Sequence, residues 1–250
     1  MSWLERTELL LGNEKLEKLK KSNVLVVGLG GVGAYAAEQL CRAGIGKMTI
    51  VDGDVVEETN RNRQLPALIS NTGKPKAEIL ANRFRDINPE IELTVVHEFI
   101  RDERTVELLK SQDYDCVVDA IDTLSPKVFL VYRAIQLGLN VVSSMGAGGK
   151  TDPSKIKVAD ISKSYNCKLA RMMRKRLSKL GVKKGVTVVF SPEEIKNSAV
   201  RLEEGQNKKS TVGTISYMPP LFGCFIASAV IQNIINQKSA ETDSEEKNQK

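Results

Sequence analysis

The chain of 250 residues is long enough for one large α/β domain, or for two small ones at most. Its composition, 41% hydrophobic and 27% charged with a net charge of +6, is typical of a soluble globular protein. The four cysteines form no C-x-x-C pair, which argues against a disulfide framework and against a structural zinc site. The apolar run at 9–11 is too short for a signal sequence, so we expect a cytoplasmic protein.

The first motif is a glycine-rich loop between an apolar run and an amphipathic pattern. Residues 24–27 predict a strand and residues 34–43 predict a helix, and between them lies Gly28-Leu29-Gly30-Gly31-Val32-Gly33. A G-x-G-x-x-G loop in this context is typical of nucleotide binding, because glycines let the backbone approach phosphates and the helix N-terminus offers N–H groups. The residues predicted to bind the nucleotide here are Gly28, Gly30, Gly31 and Gly33.

Strands and helices alternate through the next hundred residues. The pattern predicts strands over 47–52, 91–99, 115–119 and 140–143, and helices over 75–87, 103–111 and 126–137. Near-continuous apolar strands separated by amphipathic helices predict an α/β fold, with a Rossmann-like, mostly parallel sheet and helices on both faces. In such a sheet the side chains that follow the carboxyl ends of the strands share one crevice.

The second half of the chain has a different pattern. We interpret residues 150–215, which are rich in charge, as a crossover insertion within a single domain that spans 1–237. The apolar run at 221–235 predicts a core helix and no integral membrane span, because its 15 residues fall short of the roughly 20 that cross a bilayer. The polar tail at 238–250 is predicted to be disordered.

A dense polar series follows the second predicted strand. Asp52 ends that strand, where an acidic residue accepts hydrogen bonds from ribose hydroxyls. Arg63 and Lys76 are predicted to contact phosphate oxygens, since cations this dense favour a triphosphate whose charge grows during reaction. Asp122 is a predicted Mg²⁺ ligand, with a helix cap as its alternative role. The predicted site also includes Asp54, Asn60, Gln64 and Thr123.

These motifs resemble the adenylating superfamily that includes the activating enzymes of ubiquitin and their bacterial relatives for molybdopterin and thiamine synthesis. The resemblance extends from Arg6 to about Gln237 and is carried by the glycine loop, 52–54, 59–64, 74–76 and 119–122. It implies that Asp52 binds the ribose of ATP and that Asp122 is the metal-linked carboxylate. The phosphate contacts that it implies are Asn60, Arg63, Gln64 and Lys76. It also implies a homodimer in which Arg6 reaches the ATP of the neighbouring subunit.

Within the superfamily, the closer likeness is to the tRNA threonylcarbamoyladenosine dehydratases. The residues that carry this likeness are 44–46, 59–64, 119–122 with 126–127, and 146–149 with 152–153. It implies that ATP adenylates the carboxylate of the threonylcarbamoyl group in tRNA, and that a neighbouring carbamoyl atom then closes a ring and expels AMP. An activator of a ubiquitin-like sulfur carrier and a non-catalytic dinucleotide- or RNA-binding module remain as alternatives. A sulfur-transfer partner and a chemical role for Cys167 or Cys224 also stay open.

A strongly basic helix is predicted over residues 168–180. Between Ile161 and Phe190 there are nine basic residues and no acidic one, which favours an anionic partner over a solvated face. We expect the helix to bind tRNA through Arg171, Arg174, Lys175 and Lys179, all directed outward. The apolar stripe expected to face the protein body is Leu169, Met172, Met173, Leu177 and Leu180.

Overall fold

The computed structural model describes residues 2–202 and 210–237, which contain nine strands and eight α-helices. The strands are β1 (Asn23–Val27), β2 (Lys47–Val51), β3 (Glu92–Val96), β4 (Cys116–Asp119), β5 (Asn140–Ser144), β6 (Lys157–Asp160), β7 (Thr187–Phe190), β8 (Val200–Leu202) and β9 (Ser210–Val212). The helices are α1 (Glu5–Leu11), α2 (Asn13–Lys21), α3 (Gly33–Arg42), α4 (Lys76–Ile87), α5 (Asp102–Lys110), α6 (Leu124–Gln136), α7 (Lys168–Lys179) and α8 (Met218–Asn236).

Seven strands form one sheet in the order β3-β2-β1-β4-β5-β7-β6, and β8 and β9 form a separate antiparallel pair. Every neighbouring pair in the large sheet is parallel except β6 and β7, which are antiparallel. This arrangement confirms the predicted Rossmann-like, mostly parallel α/β sheet.

The central strands are buried on both faces, which explains their continuous apolar sequences. All residues of β1 and β4 are buried, and an apolar core lies on each side of the sheet. One core includes side chains of α3, α4 and α8, and the other includes side chains of α5, α6 and α7. Strand β3 lies at the sheet edge with no buried residue, and it ends at Val96 instead of continuing through residue 99 as predicted.

The N-terminal segment forms two helices that the sequence patterns did not predict. Leu16 and Leu19 of α2 are buried, and the backbone of α2 runs close to the turn that precedes β2. A Cβ atom on Gly46 would lie 1.8 Å from the carbonyl oxygen of Lys20, so this turn accepts no larger residue without moving. Helix α2 is therefore part of the core that supports the sheet.

The segment interpreted as a crossover insertion contributes directly to the large sheet. Its residues 157–160 and 187–190 form β6 and β7, and β7 pairs with β5. Helix α7, which connects these two strands, packs against α6. The division into a single domain remains a prediction, and the predicted disordered tail lies outside the described residues.

The last helix, α8, packs against α3 at very close range. A Cβ atom on Gly223 would lie 2.6 Å from the carbonyl oxygen of Val32 and 2.8 Å from Cβ of Tyr35. In the described part of the chain, α8 alone is long and apolar enough to cross a membrane, and half of its most apolar stretch is buried inside the protein. This burial is typical of a core helix, which was predicted, but the helix has 19 residues and is longer than the apolar run of 15 on which the prediction rested.

Candidate active site

The predicted nucleotide site lies at the point in the sheet where the strand order changes direction. Successive strands proceed from β1 through β2 to β3 on one side and from β4 to β5 on the other, which leaves a crevice beside the carboxyl ends of β1 and β4. The N–H of Gly28 donates to the carbonyl of Val51 at 2.8 Å, and the N–H of Ala120 donates to that of Val27 at 2.9 Å. The residues that follow β1, β2 and β4 are thus joined at one edge, as predicted.

The glycine loop is shaped by two close backbone contacts and leaves one position open. A Cβ atom on Gly28, which has φ +90°, would lie 2.8 Å from the carbonyl oxygen of Ala120. A Cβ atom on Gly33 would lie 1.7 Å from the carbonyl oxygen of Gly28. At Gly30, by contrast, the nearest atom would be Nε2 of Gln64 at 3.8 Å. Gly28 and Gly33 therefore set the loop conformation, whereas Gly30 leaves space for a ligand.

Asp52 holds the loop from the end of β2. Its Oδ2 accepts a hydrogen bond from the N–H of Leu29 at 2.6 Å, and its Oδ1 accepts one from the N–H of Asp54 at 2.7 Å. Burial raises the pKa of the Asp52 carboxyl, while these two N–H groups and the Lys76 charge oppose the rise. Each carboxylate oxygen can accept a further hydrogen bond, so a ribose ligand role is compatible with this geometry.

Lys76, at the first turn of α4, is buried and paired with Asp54. Its Nζ lies 2.9 Å from Oδ2 of Asp54, and its own N–H donates to the carbonyl of Asp54. The lysine is only 3% exposed, whereas the aspartate side chain is 53% exposed. Asp54, predicted to bind the nucleotide, therefore orients Lys76 in this structure, and its direct contact with a nucleotide remains a prediction.

The loop that follows β2 brings two of the predicted phosphate contacts, Arg63 and Gln64, beside the glycines. Cγ of Arg63 would lie 3.4 Å from a Cβ atom on Gly31, and the guanidinium donates to the carbonyl of Thr59. Asn60 is buried, and its Oδ1 accepts a hydrogen bond from the N–H of Glu57, which caps the short 3₁₀ turn Glu58–Asn60. The structure thus gives Asn60 a capping role that the sequence did not predict.

Gln64 carries an unpaired polar atom at the glycine loop. Its Oε1 is buried, and it has no hydrogen-bond partner among the described residues. Buried polar atoms are nearly always paired, and the oxygen and nitrogen of an amide are assigned from their hydrogen bonds. The other end of the amide, Nε2, is the atom nearest to the open position at Gly30, where its N–H₂ group can donate to a ligand oxygen.

Asp122 and Thr123 lie between the end of β4 and the start of α6. Thr123 occupies the N-cap position of α6 without a capping hydrogen bond from its side chain, so both roles of Asp122, metal ligand and helix cap, remain predictions. Asp122 is exposed, and the described residues contain no cluster of three or more metal-binding side chains. A single carboxylate still fits Mg²⁺, which takes one or two carboxylates in addition to substrate phosphates.

Beneath Asp122 lies a buried charged network that the sequence patterns did not identify. Nζ of Lys127 lies 2.8 Å from Oδ2 of Asp119, and both side chains are fully buried. The hydroxyl of Ser143 donates to the same carboxylate oxygen at 2.6 Å. An isolated lysine in a helical pattern is usually an exposed residue, so its burial could not be anticipated from sequence.

The basic helix differs from its predicted orientation in three residues. Ala170, Met173 and Leu177 of α7 are buried, whereas Met172 and Leu180, expected to face the protein body, are 47% and 45% exposed. Arg174 was expected to face outward, but its Nη1 donates to the carbonyl and the hydroxyl of Ser164. This expectation was wrong because the turn before α7 offers carbonyl oxygens to the guanidinium. The residues that do lie exposed as predicted are Arg171, Lys175 and Lys179.

The remaining predicted functional residues lie in very different environments. Cys167 is buried, and its thiol donates to the carbonyl of Met145, whereas Cys224 is exposed on α8. The other two cysteines, for which no function is predicted, are buried as well, which raises the pKa of Cys41 to about 11 and that of Cys116 to about 12, so both thiols stay protonated at neutral pH. Arg6 is exposed on α1.

Comparisons with known proteins show the family of this chain. The profile of the ThiF family matches residues 4–249, and the chain belongs to this family. A tRNA threonylcarbamoyladenosine dehydratase of Bacillus subtilis (strain 168) is 40% identical over 238 residues, which are 92% of this chain and 93% of that protein. The dehydratase of Escherichia coli (strain K12) is 41% identical over 204 residues, 78% of this chain and 76% of that protein.

A solved structure extends the similarity to three dimensions. The crystal structure of the E. coli tRNA N6-threonylcarbamoyladenosine dehydratase, TcdA, in complex with ATP has a TM-score of 0.83 and 37% identity. The match covers 92% of each chain. These similarities confirm the resemblance to the adenylating dehydratases that the motifs indicate.

Proposed function

We propose that this protein is an ATP-dependent tRNA threonylcarbamoyladenosine dehydratase. The observation that carries the proposal is its 40% identity, over nearly its full length, to a relative with this name. The related E. coli enzyme has been solved in complex with ATP and in complex with AMP. ATP is the reactant of an adenylation, and AMP is released when the adenylated intermediate reacts further. The glycine loop and the polar residues at the ends of β1, β2 and β4 are suited to bind the same nucleotide.

The reaction overcomes the low reactivity of a carboxylate in two steps. A carboxylate oxygen of the threonylcarbamoyl group attacks the α-phosphorus of ATP, and the bond to pyrophosphate breaks. An atom of the neighbouring carbamoyl group then attacks the activated carbonyl carbon, loses its proton, and expels AMP, which carries away the carboxylate oxygen. Because the two groups belong to one side chain, the second step is intramolecular and needs no second molecule to be brought into place.

The residues of the crevice have distinct roles in the first step. Asp52 binds the ribose, and the N–H groups of the glycine loop and the start of α3 face the phosphates. Arg63 and Lys76 stabilise the negative charge that develops on the leaving pyrophosphate. Mg²⁺, held by Asp122 and phosphate oxygens, would supply further charge neutralisation.

The tRNA is proposed to bind along α7. Arg176 of this helix donates to the hydroxyl of Ser125 at 2.9 Å, and Ser125 lies in the first turn of α6, three positions after Asp122. The basic helix therefore adjoins the loop that carries the predicted metal ligand. The exposed cations available to the tRNA phosphates are Lys163, Lys168, Arg171, Lys175 and Lys179.

The active unit is proposed to be a homodimer in the cytoplasm. Helix α1 exposes Leu9 and Leu10 by more than four-fifths, and Trp3 just before it is half exposed. An exposed apolar face of this kind is typical of an interface, and Arg6 lies on the same short helix. This placement supports a contact in which Arg6 reaches the site of the other subunit.

The proposal is tested by incubating the purified protein with ATP, Mg²⁺ and tRNA that carries threonylcarbamoyladenosine. We expect AMP and pyrophosphate to form in equal amounts, with loss of one water from the modified nucleoside by mass spectrometry. The Asp122→Ala variant should lose this activity. The control is Asp113, an exposed acidic residue that precedes β4, and the Asp113→Ala variant should retain the activity. AMP formation only with a small Gly-Gly-ended protein would favour the sulfur-carrier alternative.

A further inference from the structure

Four groups beneath Asp122 form a closed hydrogen-bonded network. Oδ2 of Asp119 accepts from the hydroxyl of Ser143 and lies 2.8 Å from Nζ of Lys127. Its Oδ1 accepts from the N–H of Ile121 at 3.2 Å. The ammonium of Lys127 also donates to the carbonyl of Ile121 at 3.0 Å. The lysine, the aspartate and the serine are all inaccessible to solvent.

The network fixes both peptide groups that flank Ile121. Its N–H belongs to the peptide group shared with Ala120, and this N–H is held by Asp119. Its carbonyl belongs to the peptide group that leads into Asp122, and this carbonyl is held by Lys127. Ala120 in turn lies against Gly28 of the glycine loop. The direction in which the chain presents Asp122 to the loop is therefore set by the buried lysine and aspartate.

The stability of the fold does not account for a charged pair at this position. Removing two charges from water is costly, and apolar residues of similar volume often stabilise a core as well or better. Apolar side chains could not hold the Ile121 carbonyl and N–H at the same time. The distinctive property of the pair is thus the geometry that it imposes on residues 119–122.

We propose that Lys127 is a positioning residue for adenylation, and that with Asp119 it holds Asp122 in the orientation needed for reaction at the glycine loop. The inference rests on the proposed function, because it assigns Asp122 a part in the adenylation of the substrate. Lys127 itself is buried and does not touch the reacting groups. It acts through the backbone of Ile121.

The main test uses a paired substitution that leaves no isolated charge in the core. Lys127→Met alone would leave Asp119 buried without its partner, so Lys127→Met is combined with Asp119→Asn. The matched control is Glu38→Gln with Arg83→Met, which removes an ion pair between α3 and α4. For both proteins we would measure the unfolding midpoint, the Kd for ATP, and the kcat and KM for AMP formation with modified tRNA.

We expect the Lys127→Met/Asp119→Asn protein to fold and to bind ATP within a few-fold of wild type, with kcat lowered about 100-fold. Misplacement of a reacting group by about 1 Å has this magnitude of effect. The control pair should retain its kcat. A folded paired variant with wild-type kcat would overturn the proposal, because the pair would then serve only stability.

A double-mutant cycle with Asp122→Ala separates positioning from a general disturbance of the site. If Lys127 acts through Asp122, the paired variant should lower kcat much less in the Asp122→Ala background than in wild type, so the changes in log kcat should be far from additive. Full additivity would contradict the proposal. If the paired variant does not fold, Ser143→Ala, which removes one donor to Asp119, replaces it in the cycle. An unchanged kcat for Ser143→Ala in that case would overturn the inference.

Backbone hydrogen exchange distinguishes a failure of this inference from a failure of the proposed function. If wild-type protein forms no AMP with modified tRNA, the proposed function is wrong, whereas the network can still be judged by the Ile121 and Asp122 amides. We expect slow exchange of the Ile121 amide in wild type and faster exchange of both amides in the paired or Ser143→Ala variant. Unchanged exchange at both amides would contradict the positioning role.

Discussion

Asp52 accepts a hydrogen bond from the N–H of Leu29 at 2.6 Å, so the residue that follows β2 fixes the conformation of the loop that follows β1. The residue predicted to bind the ribose is thus also a structural support of the phosphate-binding loop. These two roles are connected, because a loop that is already ordered loses less entropy when the nucleotide binds.

Substitution of Asp52 should weaken ATP binding through both roles. We expect Asp52→Ala to raise the Kd for ATP about 10-fold or more, since hydrogen bonds to a charged group each contribute about 1.5–3 kcal/mol. Calorimetric titration with ATP measures this loss, and Asp113→Ala serves as the control. An unchanged Kd in a folded Asp52→Ala protein would contradict both roles.

Two glycines of the same loop should respond in opposite ways to alanine. At Gly33 a Cβ atom would lie 1.7 Å from a backbone oxygen, so Gly33→Ala should destabilise the fold by about 4 kcal/mol or more. At Gly30 the nearest atom would be 3.8 Å away, and Gly30→Ala should change the stability by less than about 1 kcal/mol. We expect Gly30→Ala to lose ATP affinity, because its methyl group enters the space left for the phosphates. Denaturant unfolding and ATP titration distinguish the two effects. Equal free energies of unfolding for the Gly33→Ala and Gly30→Ala proteins would refute the steric argument.

The sheet and its crevice could be predicted from the sequence because local patterns determine both. The strand that precedes the glycine loop and the strand that ends at Asp52 are marked by continuous apolar runs, and parallel strands bring their carboxyl ends together. The burial of Lys127 could not be predicted in this way, because its partner Asp119 is identified only after α6 has packed on β4. Arg174 was assigned to the wrong face for a similar reason, since the carbonyl oxygens that it contacts belong to the preceding turn.

Stability should depend on pH through Glu38, which joins α3 to α4. Burial tends to raise the pKa of this carboxyl, but hydrogen bonds from Arg83 and Arg42 outweigh it and lower the pKa below its usual range. Because the pKa is lower in the folded state, the contribution of Glu38 is present near neutral pH. It is lost as the pH falls from about 4.5 through the folded-state pKa.

Glu38→Gln should therefore cost about 2 kcal/mol of unfolding free energy at pH 7, the range of hydrogen bonds to a charged group. It should also flatten the loss of stability below pH 4.5. Denaturant unfolding from pH 3 to pH 7 measures both effects, with Glu14→Gln as an exposed control on α2. If the unfolding free energy of the Glu38→Gln protein fell with pH as steeply as that of wild type, this carboxyl would not be the cause of the pH dependence.

The proposed homodimer predicts complementation between two inactive variants. Arg6→Ala and Asp122→Ala subunits should each be nearly inactive alone, because each lacks one contributor to every site. After subunit exchange, a mixed dimer has one intact site, and we expect about a quarter of wild-type activity if exchange is random and sites are independent. Exchange is verified by mass spectrometry of the intact dimers. Complete exchange without recovery of activity would exclude action of Arg6 across the interface.

The exposed cations of α7 should determine tRNA affinity. Reversal of Arg171, Lys175 and Lys179 to glutamate removes charge without disturbing the buried residues Ala170, Met173 and Leu177. Each phosphate contact that is lost should lower the slope of log affinity against log salt by about 0.7–0.9, and it should weaken all tRNAs alike. Arg174 is left unchanged, because its hydrogen bonds to Ser164 stabilise the turn before the helix.

Filter binding or fluorescence anisotropy at several salt concentrations measures this effect. A matched triple reversal of Lys15, Lys21 and Lys110, which are exposed on α2 and α5, controls for the change in net charge. We expect the α7 variant to lose tRNA binding and to keep its Kd for ATP, because the nucleotide crevice lies at the strand ends. If both triple variants lost the same affinity, the interaction would reflect total charge, and α7 would be an ordinary solvated face.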